Sequence, residues 1–263
     1  MRKATTVALY TLLIILCISS YCRTMHQQVA CFEERIAVYI EIPKSHNGMA
    51  VLFVPAPGYM DHSGKHGTKN ARYSPKQGVF REWKNKLNRR GYITIQFDKP
   101  GTGASSGRLM NQEELALLCV YTSLKTLETK LNGIFLFTFA GGFDYFRYAY
   151  NAMKEVNPKT MPIGVVHLAG IIPWTTNLIH DQIPVLSLLG DTTALTGIVQ
   201  KFKKETIMNA DNFSKMILLP NTDVNLCDKS FPKYGNKCVY PEDMYQKVFV
   251  WIDEMLKNYK NKK

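Results

Sequence analysis

The chain has no C-x-x-C pair, which excludes a structural zinc site built on paired thiolates. It has no run of five like charges, so the block of basic residues typical of nucleic-acid tails is missing, and no nucleic-acid motif is found. Its one glycine-rich run, Gly101 to Gly107, lacks the Gly-Lys-Ser/Thr ending that a phosphate loop requires. No internal repeat and no low-complexity segment occurs, which argues against a repeat array. Beyond Met25 there is no further apolar run long enough to cross a bilayer. No cofactor is expected. Histidine is scarce: six residues, of which His180 is the last.

What is present describes one globular domain. A length of 263 residues suits a single α/β domain, and 46% hydrophobic with 21% charged residues allows a sizeable core. The net charge of +12 reads as a solvated basic face, with contact to an anionic surface as the alternative. At the N-terminus Arg2 and Lys3 precede an apolar run from Val7 to Ile18, and Ser19, Ser20 and Cys22 are small enough for cleavage nearby. Residues 1–22 are therefore expected to be a signal peptide, or a signal anchor if uncleaved, and residues 23–263 the exported domain. Export implies an oxidising compartment. Cys227 and Cys238 flank a turn-rich stretch and are expected to pair. Cys119, in an apolar helical segment, is expected to be a buried free thiol, and the pairing of Cys31 is left open. Asn212 opens a possible glycosylation sequon.

Short apolar runs alternate with amphipathic stretches, which predicts a mostly parallel sheet flanked by helices, with little room for a lid. Strands are expected at Arg35–Ile42, Ala50–Val54, Tyr92–Phe97, Ile134–Phe139, Ile163–Leu168, Pro184–Leu189 and Met216–Leu219. Helices are expected from Val79 to Gly91, over Glu113–Leu131 and Phe143–Val156, near Leu195–Met208, and from Pro241 onward.

Three segments carry a resemblance. Val51 to Gly64 reads V-L-F-V-P-A-P-G-Y-M-D-H-S-G, Tyr92 to Gly107 reads Y-I-T-I-Q-F-D-K-P-G-T-G-A-S-S-G, and Ile134 to Gly142 reads I-F-L-F-T-F-A-G-G. In this order they resemble the oxyanion loop, the glycine turn and the nucleophile elbow of the α/β-hydrolase superfamily, in its esterase and serine-aminopeptidase-like branches. The resemblance implies a single α/β-hydrolase fold. It also implies a cleft or oxyanion loop at Pro57, Gly58, Tyr59, Met60 and His62, and a triad in the order serine, acid, histidine.

The triad positions are degenerate. On the elbow, spanning Thr138, Phe139, Ala140, Gly141 and Gly142, the serine position falls on Phe139 or on Ala140 depending on the alignment. The acid position falls on Thr193, with Asp191 two residues early. The base position falls on Val224, beside Asp223, and no histidine lies that far along the chain. The chain is therefore expected to be an inactive relative that binds a small apolar or acyl ligand, or a protein partner. Two alternatives stand: an interaction platform, and an active esterase or peptidase-like enzyme rebuilt around Thr138, with Asp191 or Asp223 and with His62 or His66. The cluster of Asp61, His62 and His66 reads as a polar loop rather than a metal site. Asp98 reads as structural, and His167 as a buried, hydrogen-bonded side chain. His180 could face the cleft or the surface.

Overall fold

The computed structural model describes residues 22–65, 78–108, 113–127, 130–156, 161–169, 183–190, 213–222, 226–227, 229–230 and 239–261. Eight strands form one sheet: β1 (Cys22–Cys31), β2 (Glu34–Pro43), β3 (Met49–Val54), β4 (Ile93–Phe97), β5 (Gly133–Phe139), β6 (Gly164–Leu168), β7 (Val185–Gly190) and β8 (Lys215–Leu219). Their spatial order is β1-β2-β4-β3-β5-β6-β7-β8. β2 runs antiparallel to both neighbours, and every pair from β4 to β8 is parallel. The four described helices are α1 (Phe80–Arg89), α2 (Glu113–Ser123), α3 (Gly142–Val156) and α4 (Glu242–Asn261).

The strand side chains explain the layering. β3, β6 and β7 are buried at every position, as strands covered on both faces must be. Ala50, Leu52 and Val54 pack with Ile93, Ile95, Ile134 and Leu136 against Leu117 and Val120 of α2 and Phe146 and Met153 of α3. Val51 and Phe53 point the other way, with Phe135 and Phe137, onto Trp83 and Leu87 of α1 and Val248, Trp251 and Ile252 of α4. Burying each such side chain contributes about 1.5–3 kcal/mol, which is what holds amphipathic helices on the sheet. α1 ends at Gly91, whose φ of 82° favours glycine and where a Cβ would stand 2.8 Å from the Ser45 carbonyl oxygen.

Three expectations need correction. The sequence pattern predicts no strand over residues 22–31, yet β1 pairs with β2 along its whole length, from Cys22 opposite Pro43 to Cys31 opposite Glu34. The helix expected over Glu113–Leu131 stops at Ser123 and gives way to a 3-10 turn over Leu124–Thr126. There the hydroxyls of Thr122, Ser123 and Thr126 bond back to the carbonyls of Leu118, Val120 and Ser123, which competes with the helical ladder. Cys119 is not a free thiol: it is bonded to Cys31, with the two Cα atoms 5.6 Å apart. Cys227 is also disulfide-bonded; Cys238, its expected partner, lies outside the described residues. So do the helix expected near Leu195–Met208, His66, His180 and Asn212.

Candidate functional site at the elbow after β5

β5 delivers the chain to a sharp turn. Phe139 is the last strand residue, Ala140 takes a left-handed φ of 46°, and α3 begins at Gly142. A non-glycine residue in that region is strained, and such strain collects at functional turns. The Ala140 amide is tied to the Leu168 carbonyl at 2.9 Å, which anchors the turn to the end of β6. Between the two readings of the elbow, the backbone puts Ala140 at the apex. Phe139 turns into the sheet face shared with α1 and α4, edge-on to Phe80 and 5% exposed.

The glycines after the apex are set by the loop above them. A Cβ on Gly142 would stand 2.6 Å from the Pro55 carbonyl oxygen and 2.7 Å from that of Val54. A Cβ on Gly141 would stand 2.8 Å from the Pro57 ring. The segment from Val54 to Pro57 therefore lies directly on the elbow, and only glycine allows that approach.

A side chain missed in the sequence supports this loop. Lys99, at the end of β4 and fully buried, donates through Nζ to the carbonyls of Ala56 and Gly58, each at 2.6 Å. It also meets the buried Glu113 carboxylate at 3.3 Å. Burial pushes the lysine below its ordinary pKa, with the Glu113 charge opposing that shift. The signal available in the sequence was a lysine set between the strand-ending Asp98 and Pro100, where a surface lysine would be out of place.

Asp98 holds the other end of the loop. Its buried carboxylate accepts the His62 amide at 2.9 Å, His62 Nδ1 at 2.7 Å, the Tyr39 hydroxyl at 2.7 Å and the Ala104 amide at 2.8 Å. Burial alone would raise its pKa, but the hydrogen bonds from His62, Ala104 and Tyr39 prevail and hold it below the usual carboxylate range. The Tyr39 phenol moves the opposite way, upward, through burial and its bond to Asp98. His62 stacks on Tyr39 with ring centroids 3.8 Å apart. Asp98 thus shapes both loops, as a structural carboxylate does.

The expected site residues divide accordingly. Pro57 sits over the elbow, the Gly58 carbonyl is held by Lys99, Tyr59 is 52% exposed and Met60 is buried. His62 is turned to Asp98. Thr138 is fully buried, and its hydroxyl lies 2.8 Å from Nδ1 of His167, itself 1% exposed, on the neighbouring strand. Thr138 and His62 are therefore each engaged with a different partner. Asp191, Thr193, Asp223 and Val224 lie outside the described residues. No metal-binding group of three or more ligands occurs among the described residues.

No protein-family model matches this chain, and no curated protein matches it in sequence. Solved structures do match in shape. An esterase of Pyrococcus furiosus superposes with a TM-score of 0.60 and 14% identity, covering 90% of this chain and 91% of that one. A dienelactone hydrolase from Anabaena variabilis gives 0.58 and 15%, covering 89% and 98%. An α/β serine hydrolase homologue from Coxiella burnetii gives 0.53 and 16%, covering 77% and 89%. With its eight-stranded, mostly parallel sheet and flanking helices, the chain has the α/β-hydrolase fold.

Proposed function

We propose that this α/β-hydrolase-fold chain is an exported protein that binds an acyl or lipid-like ligand over its elbow without hydrolysing it. The observation that carries the reading is Ala140. It occupies the strained apex from which this fold presents a nucleophile, and its methyl group has no lone pair to attack a carbonyl. The second support is the sequence beyond His180, which contains no imidazole to take a proton from any nucleophile. In a serine hydrolase, loss of the nucleophile or base alone lowers turnover by roughly 10⁶-fold. Export is supported by the Cys31–Cys119 disulfide and by the bonded Cys227. Among the described residues no helix is long and apolar enough to cross a membrane.

The rebuilt-enzyme reading gains one observation and loses by another. Thr138 and His167 form a hydroxyl–imidazole pair at hydrogen-bonding distance, the arrangement that activates a nucleophile. Both are sealed in the core, at 0% and 1% exposure, where no substrate reaches them.

The deciding experiment applies a fluorophosphonate probe and p-nitrophenyl esters to the oxidised protein, beside an active hydrolase of the same fold. We expect neither labelling nor turnover, and saturable binding of a fluorescent fatty acyl probe. Turnover that survives purification and disappears in Thr138→Ala would overturn the reading.

A further inference from the structure

The end of the sheet opposite the elbow collects exposed cations around the β2–β3 turn. The Asn47 amide donates to the Gly91 carbonyl at 2.9 Å, which draws the end of α1 onto that turn. The Asn132 amide donates to the Gly48 carbonyl at 2.8 Å, and the Tyr259 hydroxyl donates to the Asn132 carbonyl at 3.3 Å. These bonds bring to one end Lys44 of the turn, Arg89 of α1, Lys130 before β5, and Lys257 and Lys260 on the last turns of α4, all exposed. The strand β5, of 7 residues, runs from this end to the elbow, a separation of about 20 Å.

None of these cations forms an ion pair with a described residue. The neighbouring carboxylates of β2 and α4 are already engaged: Glu41 with Lys84, Asp253 with Arg90 and Glu254 with Lys215. Cations on the last turn of a helix are ordinary, because they meet the negative end of its dipole. That accounts for Arg89, Lys257 and Lys260 one at a time, but Lys44 and Lys130 lie on no helix. The chain also enters the domain at this end. Cys22 opens β1 opposite Pro43, the residue before Lys44. Only Ser19, Ser20 and Tyr21 separate Cys22 from the apolar run Val7–Ile18, so that run ends within about 15 Å of Cys22.

We propose that this basic end seats the protein on an anionic lipid bilayer, with the apolar run Val7–Ile18 as the adjoining anchor and the elbow facing away. A short apolar segment and a basic patch are the two signals that stable membrane attachment takes. Each Lys or Arg close to such a surface strengthens binding about fivefold, an attraction that a neutral bilayer does not offer. A soluble polyanion would meet the charges but leave the apolar run without a role. The site is independent of the elbow and of the reading given for it.

The test is co-sedimentation of the oxidised full chain with vesicles of phosphatidylcholine, pure or with about a third phosphatidylserine, followed by lysine acetylation read by mass spectrometry. Binding to the anionic vesicles is expected to be about 10²-fold or more tighter than to the neutral ones, with the excess shrinking as salt is raised. Lys130→Gln combined with Lys257→Gln and Lys260→Gln should remove about 10²-fold of that affinity. The same variant should leave neutral-vesicle binding and the melting temperature unchanged, because these side chains are exposed and unpaired among the described residues. Bound anionic vesicles should protect Lys44 and Lys130 from acetylation, while Lys65, exposed in the loop near the elbow, reacts as in the free protein. Equal binding to both vesicles, full affinity in the folded triple variant, or protection of Lys65 in place of Lys44 would each overturn the proposal. So would capture by soluble heparin without preference for anionic vesicles, which would mark a polyanion site instead.

Discussion

Lys99 and Asp98 adjoin each other at the end of β4 and hold the two ends of one loop. Replacing Lys99 by Met removes both bonds to the loop carbonyls and the cation that meets the buried Glu113 carboxylate. A loss of about 3–5 kcal/mol is expected in urea denaturation. The double variant Lys99→Met, Glu113→Leu should recover part of that loss, because the buried carboxylate goes together with the cation that met it; a double variant no better than the single would contradict the buried-pair account. Asp98 makes a pH prediction. Its folded-state pKa is depressed, so its contribution is complete above the unfolded value of about 4 and disappears as pH falls through the folded value. Denaturation midpoints followed from pH 7 to pH 2 should fall on the acid side for the wild type. Asp98→Asn should start lower and show a shallower acid limb.

At the scale of elements, the edge of the sheet depends on a covalent tie. β1 is polar or half-exposed along most of its length and is held by β2, by α2 and by the Cys31–Cys119 bond. That bond closes a span of 88 residues, for which chain-entropy arguments give about 4–5 kcal/mol. Cys31→Ser with Cys119→Ser should lower the melting temperature clearly and speed amide hydrogen exchange in β1 before the central strands; uniform exchange across the sheet would refute a local tether. The elbow and its loop form the second coupled pair of elements. Gly142→Ala drives a methyl into two carbonyl oxygens and should destabilise the fold, whereas Ala140→Gly relieves a strained φ and should be neutral or stabilising by about 0.5–1 kcal/mol. Thermal unfolding of both variants checks this.

At the scale of the molecule, the described residues build the eight-stranded sheet and its flanking helices, while the apex of the elbow carries a methyl group. Restoring a hydroxyl alone should therefore not restore chemistry: Ala140→Ser should fold, and should show no ester turnover above the wild type. Turnover in that variant would mean that a base reaches the apex from elsewhere in the chain. Much of the architecture was legible beforehand. Ala50–Val54 and Ile134–Phe139 are continuous apolar runs, and a strand covered on both faces needs such a run. The spacing of Val79, Phe80, Trp83 and Leu87 marks one helical face in the same way. β1 was not legible, since an edge strand exposes most of its side chains and C-R-T-M-H-Q-Q-V-A-C carries little apolar alternation.

The sequence by itself determined the order of the strands from β2 to β8 and of the four described helices among them, the glycines after the elbow and the absence of any histidine past His180. Those are properties of local pattern and of composition, which survive without coordinates. Only the tertiary structure decided that Ala140 rather than Phe139 stands at the apex, that Thr138 faces His167 instead of a cleft, that Cys119 finds Cys31, and that Lys99 supports the loop. Each of these joins residues from different strands, loops or helices or depends on one backbone dihedral. Partners brought together by the folding of the sheet leave no periodic trace in the chain.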